Sequence, residues 1–153
     1  MVLDSFDKKI LQLLQRDNKI SQRELAEQVN LSPSAVNRRI AALEADGYIK
    51  GNIAIIDNKK LGKPITLIVE VRIKNKHTVA MDHHKSIFLS TPAIQQVYLV
   101  TGDFDFLLIM TVADMSEYEQ LSERLLFNDE NIHGFKTMVT LQNIKQSFDI
   151  NIE

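Results

Sequence analysis

Apolar positions recur every three or four residues in the first fifty and every second residue in the strand-like segments of the remainder. Phe6, Ile10, Leu13 and Leu14 share one helical stripe, which Leu11 widens and Asp17-Asn18 ends. Ser21 opens a second helix, with Glu24 at the spacing of a capping box. Leu25 and Ala26 are its apolar residues. Val29 falls in the short turn that follows, where Asn30 can adopt positive φ. Ser32 then caps a third helix with Pro33 at its first position, where a missing N–H costs nothing. Val36, Ile40 and Leu43 form its apolar face, and Gly47 closes it. Three short helices with a tight connection between the last two predict a helix-turn-helix.

IKGNIAIID, residues 49–57, predicts a strand through Ile49, Ile53 and Ile55. A lone strand between two domains must find a partner, and its twin in a homodimer is the preferred one. After Leu61-Gly62-Lys63-Pro64, strands are predicted over 65–73, 94–100, 104–112 and 135–144. A helix over 75–90 places Val79, His83, Ile87 and Phe88 near one face, and a second, opened by Asp114 and Glu117, carries Met115, Tyr118, Leu121 and Leu125. This order is that of the ferredoxin-like βαββαβ unit, so the fold class is α+β. Both faces of the third strand are apolar: Phe104, Phe106, Leu108 and Met110 alternate with Leu107 and Ile109. Helices cover only one side of such a sheet, so the other side predicts contact with a second subunit.

Composition narrows the chemistry. With no cysteine, disulfide, thiolate-metal and cysteine-nucleophile chemistry are excluded. No run approaches the length of a membrane span, and MVLDSFDKK has no apolar signal segment, so a cytoplasmic protein is expected. The net charge of −2 points to no class of partner, and residues 1–50, with eight basic and seven acidic side chains, are barely positive. His83 and His84 are adjacent and point apart, and Asp82-His83-His84-Lys85 reads as a solvated helix face. No nucleophile elbow, phosphate loop or dinucleotide glycine motif is present. Neither an enzyme nor a metal or cofactor site is expected.

Two segments carry binding chemistry. The first turns of the third helix offer Ser34, Ala35, Asn37, Arg38 and Arg39. Arginine forks onto guanine and asparagine onto adenine, while small residues permit close approach to a major groove. Ser21, Gln22 and Arg23, at the start of the second helix, suit phosphate. The other segment is TGDFDF, residues 101–106. Gly102 permits a reversal that leaves backbone N–H groups free to cradle a carboxylate, while an aspartate beside them accepts from an ammonium. An amino acid carries both groups. The same residues also suit an ordinary turn in which Asp103 bonds its own backbone, and local chemistry leaves both readings open. Alternation points Asp105 away from Phe104 and Phe106, toward the face assigned to subunit contact.

ISQRELAEQVNLSPSAVNRRIAALEADGYIKG, AIIDNKKLG, VYLVTGDFDFLLIMTVADMSEYEQL and TMVTLQNIK occur in this order along the chain. As a set they resemble the Lrp/AsnC transcription regulators, also called feast/famine regulators, over essentially the whole length. The resemblance implies a winged or modified helix-turn-helix over residues 1–50 and a linker strand and hinge over 51–64, paired across a homodimer. It implies a ferredoxin-like domain over 65–153 that senses an amino acid and joins dimers into octamers. Carried onto this sequence, Ser32–Asp46 is the recognition helix, with Ser34, Asn37, Arg38 and Arg39 at promoter DNA. Gly102, Asp103, Phe104 and Asp105 form the effector loop, and Met138, Val139 and Thr140 match positions of effector response. Asp105 is assigned to the ligand or its assembly surface and Asp103 to the turn. Asn52 and DNENIHGF depart from the family pattern at the linker and before the last strand. Met138 and Val139 suit an apolar effector such as leucine or methionine. An amino acid-sensing oligomer whose helical domain binds protein rather than DNA is the alternative.

Overall fold

Asp4 and Asp7 start the first helix by exchanging caps: Asp7 N–H donates to Asp4 Oδ1 at 2.9 Å and Asp4 N–H to Asp7 Oδ2 at 3.1 Å. In the computed structural model, which describes residues 2–153, Asp4 is the N-cap of α1, Ser5–Leu14, and Asp7 lies in its first turn. Helices α2, Gln22–Val29, and α3, Pro33–Ala45, follow. Ser21 Oγ accepts from Glu24 N–H at 3.1 Å, so that half of the expected capping box is formed. Val29 is buried in the last turn of α2 rather than lying beyond it, because Asn30 takes the left-handed conformation (φ 56°) that ends a helix one residue later. Ile10, Leu25, Ala26, Val29, Val36 and Leu43 form the core of this unit, which extends to Ile55 and also includes Lys145–Glu153. The latter residues had been expected to belong wholly to the C-terminal domain.

Residues 50–57 form no strand within the chain, and Ile53 and Ile55 are exposed. A segment becomes a strand only with a partner, and this one has none among the described residues.

The second unit, Ile56–Ile144, contains β1 (Ile65–Ile73), α4 (Thr78–Leu89), β2 (Ile94–Leu99), β3 (Phe106–Val112), α5 (Met115–Ser122) and β4 (Ile132–Val139). Its antiparallel sheet has the order β2-β3-β1-β4, the ferredoxin-like arrangement. Strand β4 starts and stops earlier than its apolar pattern suggests. Thr140 N–H reaches Thr66 O at 2.9 Å, and β1 offers no partner beyond, which leaves Leu141 and Ile144 exposed. A π-helical turn, Glu123–Phe127, shifts the register after α5 and turns both Leu125 and Leu126 inward.

Helix α4 differs from expectation in its face. Val79 and His83 are exposed, whereas His84 is only 2 % exposed and lies one turn before buried Phe88. His84 Nδ1 lies 2.7 Å from Ala80 O and Nε2 2.9 Å from Asp129 Oδ2, so its polar atoms are satisfied inside. The solvated reading of His84 fails because consecutive helical side chains diverge, and His84 falls on the stripe that Phe88 continues.

Leu67, Val69, Val71 and Ile73 of β1 face the helices, with Phe106, Leu108 and Met110 of β3 beside them. On the opposite face Ile68, Ile109 and Met138 stand side by side in register, half-buried. Phe106 meets Phe88 edge-on, with ring centroids 5.3 Å apart. Phe106→Ala is expected to cost about 3–5 kcal/mol through lost burial and the cavity left behind, read as a lower urea midpoint.

Candidate functional site

Ser32 holds the start of α3: its Oγ accepts from Ala35 N–H at 3.3 Å and lies 3.1 Å from Ser34 Oγ. Pro33 occupies the first turn, so the helix presents Ser34, Asn37 and Arg38 to solvent, with Ala35 half-buried. Arg38 has no hydrogen bond or ion pair among the described residues. At the start of α2, Ser21 is spent on its cap and Gln22 is exposed. Arg23 makes a surface pair with Glu27 at 3.2 Å, a contact weak enough to exchange for a phosphate.

Arg39 is placed differently from Arg38. Its Nη1 lies 2.7 Å from Asp7 Oδ1 and 2.8 Å from Asp4 Oδ2, and the guanidinium sits over the Phe6 ring at 5.4 Å. Asp7 is only 4 % exposed. Asp7's hydrogen bond raises the Arg39 pKa above its ordinary value, and the Asp7 N–H, aided by Arg39, holds the Asp4 carboxyl below the usual range. The two adjacent arginines that sequence placed at DNA therefore separate into one free cation and one compensated by two carboxylates. The Asp4-x-x-Asp7 spacing was a readable cap signal, but its second task was not.

In the other unit, Gly102 (φ 120°) turns the chain between β2 and β3. The N–H groups of Gly102, Asp103 and Phe104 make no hydrogen bond among the described residues. The Asp103 carbonyl accepts from Arg72 Nε at 2.7 Å, while its carboxylate is exposed and unpartnered among the described residues. Asp105 behaves in the opposite way. It is 8 % exposed, and its Oδ2 accepts the Ile73 N–H at 2.8 Å while Oδ1 meets Lys76 Nζ at 2.7 Å. Burial pushes its pKa up, but the Ile73 N–H and Lys76 outweigh that and hold it below the ordinary carboxylate range. Alternation had pointed Asp105 at the subunit-contact face. Strand geometry begins only at Phe106, so the side chain is free to fold back and close the end of β1.

Met138, Val139 and Thr140 lie elsewhere. Met138 pairs with Ile68 near the start of β1, whereas Asp105 closes its far end at Ile73. Five residues of strand, about 17 Å, separate the two parts of the expected effector site within one chain. Thr140 Oγ1 is a buried side-chain atom with no hydrogen-bond partner among the described residues. What the chain itself sets beside Phe104 is a cleft of about 320 Å³ that includes Glu70, Arg72, His133 and Lys136. Sequence reasoning did not find these residues, because only the strand register brings them together. Among the described residues no group of three or more candidate ligands is placed to hold a metal ion, and no helix is long and apolar enough to cross a membrane.

Residues 3–50 match winged helix-turn-helix DNA-binding domains, and residues 66–150 match the Lrp/AsnC ligand binding domain. The chain belongs to the Lrp/AsnC family. It is 39 % identical over its whole length to an uncharacterised HTH-type transcriptional regulator of Sinorhizobium fredii, covering 90 % of that protein. It is 35 % identical to the leucine-responsive regulatory protein of Haemophilus influenzae, over 95 % of this chain and 87 % of that one. With the glutamate uptake regulatory protein of Zymomonas mobilis it shares 40 % identity, over 81 % and 76 % of the two chains. Among solved structures, a transcriptional regulator from Neisseria meningitidis in complex with L-Met superposes with a TM-score of 0.92 at 26 % identity, covering 98 % of this chain and 97 % of that one. An AsnC family regulator from Agrobacterium tumefaciens gives 0.91 at 28 % identity, with 97 % of each chain covered. This Lrp/AsnC chain is thus a DNA-binding transcriptional regulator with a ligand-binding domain, not an enzyme.

Arg39→Ala is expected to lower the stability of the helical unit by about 1–3 kcal/mol, since it strands the buried Asp7 carboxylate. Arg38→Ala should leave melting unchanged, weaken DNA binding, and reduce the slope of log K against log salt by roughly one if it meets a phosphate. Acid is expected to weaken the second unit in a defined window. Asp105 and Glu117 both have pKa values lowered in the fold, the latter first by the Ala113 N–H and then by Lys63. Their stabilisation is complete above their unfolded values, 3.8 and 4.5, and is lost as pH falls through the lower folded ones. Urea midpoints measured from pH 6 downward should drop over that range, and less steeply in Asp105→Ala.

Proposed function

We propose that this regulator responds to a free α-amino acid held by the 102–105 loop, and that it reads promoter DNA as a dimer through the first turns of α3. The observation that carries the effector reading is the pairing of three unbonded N–H groups, on Gly102, Asp103 and Phe104, with the free Asp103 carboxylate beside them. The N–H groups suit the ligand's carboxylate and Asp103 its ammonium. Asp105, already committed to Ile73 and Lys76, holds the loop in shape. This reverses the assignment drawn from alternation.

Met138, Val139 and Thr140 complete the pocket from a neighbouring copy, because β1 keeps them from the loop of their own chain. Thr140 Oγ1 awaits a partner there, and Met138 and Val139 favour an apolar ligand side chain. The names of the leucine-responsive relative and of the L-Met complex agree with that choice.

Two surfaces support assembly. Ile53 and Ile55, 69 % and 83 % exposed, lie on a linker without a ladder partner, and pairing with the same segment of a second copy covers them. The apolar row of Ile68, Ile109 and Met138 suits a second sheet packed face to face. Dimerisation sets two copies of α3 on successive major grooves, with Ser34, Ala35, Asn37 and Arg38 toward base edges and Ser21, Gln22 and Arg23 toward phosphate. Dimers then join into an octamer, with effector pockets at their contacts.

Calorimetry against each of the twenty amino acids, with the oligomeric state recorded in parallel, tests the reading. Binding of an apolar amino acid is expected, weakened at least tenfold by Asp103→Asn with melting unchanged. Absence of binding by all twenty would remove the sensing role.

A further inference from the structure

Beyond Thr140 the chain leaves the sheet, and residues 141–149 carry no regular structure. Its last residues nevertheless keep a period of two: Phe148, Ile150 and Ile152 alternate with Ser147, Asp149 and Asn151. That is the pattern of a strand with one apolar side, but no strand lies beside it. What lies beside it is α1. Gln12 and Gln15, three residues apart on one helix face, provide the hydrogen bonds that a neighbouring strand would. Gln15 Nε2 donates to Ile150 O at 2.9 Å, and Gln15 Oε1 accepts the Ile150 N–H at 3.1 Å. Gln12 Nε2 donates to Ile152 O at 2.6 Å.

One primary amide thus takes both backbone groups of a single residue, and a second amide takes the next carbonyl on the same edge. Such contacts read extended backbone irrespective of side chain. The apolar alternates line a groove of about 750 Å³ together with Leu11, Leu14 and Ile40. Ile152 is the half-buried one, while Phe148 and Ile150 keep much of their surface in water. Amide bonds at an exposed surface contribute modestly, so a contact of this kind holds but also releases.

We propose that Phe148–Glu153 is a strap that clips onto α1 through Gln12 and Gln15 and gives the DNA-reading unit a second tether. The first tether is the linker after Ile49. The second is residues 141–147, which span at most about 25 Å when drawn out. It begins directly after Met138–Thr140, so a ligand that engages those residues acts on the strap's root. With both tethers in place each reading head samples less volume, and its effective concentration at the second half of a two-part DNA site is higher. This affinity effect rests on the paired-reader function proposed above; the docking of the strap does not.

The test uses a duplex selected by the wild-type protein from a randomised pool, with its two half-sites and with one half-site scrambled. Gln12→Ala with Gln15→Ala, and separately a chain ending at Ser147, are expected to bind the two-part duplex about tenfold more weakly. Both should bind the single half-site within twofold of wild type, with the salt slope unchanged because no phosphate contact is lost. Unchanged affinity for the two-part duplex overturns the strap, as does an equal loss on both duplexes, which would mark damage to the reading surface. Because the chain has no cysteine, Gln15→Cys with Ile150→Cys reports docking directly through a short bismaleimide. The expected product runs as a crosslinked single chain on a denaturing gel, and a product joining two chains, or none, rejects docking within the chain. If wild type binds two half-sites no better than one, the paired-reader function fails and the affinity effect with it, while the crosslink still decides the docking.

Discussion

The guanidinium of Arg39 lies between Asp7 and Asp4, and the presentation of α3 depends on that contact. The two carboxylates already cap α1, so a single cluster fixes where α1 begins and which side of α3 turns inward. A carboxylate as buried as Asp7 needs a cationic partner, and Arg39 supplies it from the middle of α3. Arg38, about 100° further round the helix, is then left outside. The ligand-binding unit uses the same economy. Asp105 and Glu117 each accept a backbone N–H and a lysine, at the end of β1 and ahead of α5 respectively. In all three places an acidic side chain is committed to the chain's own backbone.

The sheet divides what the family pattern joins. The loop at one end of β1 and Met138–Thr140 near the other belong to the same unit but not to one pocket. On the proposed effector reading, a protomer built this way is an incomplete sensor. The linker isoleucines without a ladder, the apolar outer row of the sheet and the unpartnered Thr140 hydroxyl point the same way. Each is costly in an isolated chain, and the assembly proposed above relieves it.

Much of this was legible in the order of residues. Strand β1 and the boundaries of α3 followed from alternation, a serine cap and a proline, all local signals. The ferredoxin-like order followed because each strand carries its own apolar pattern. What escaped were facts of register and rotation. Whether His83 or His84 enters the core depends on the helix's orientation toward the sheet, which adjacent residues cannot state. The end of β4 depends on where its neighbour β1 begins, and the strand pattern of TMVTLQNI continues past that point without a partner. Arg38 and Arg39 look identical until Asp4 and Asp7, more than thirty positions away, choose between them.

The anchoring of Asp105 also limits how a ligand can act. A carboxylate held by the Ile73 N–H and Lys76, beside an Asp103 carbonyl tied to Arg72, leaves the loop little freedom to change shape. A preformed cradle binds without remodelling itself, so the loop alone offers no second state for a ligand to prefer. In the assembly proposed here, the difference in affinity between states arises where the loop meets Met138–Thr140 of another copy. On that proposal regulation is a matter of how copies meet, and a substitution that leaves the loop's shape intact can still abolish the response by altering that meeting.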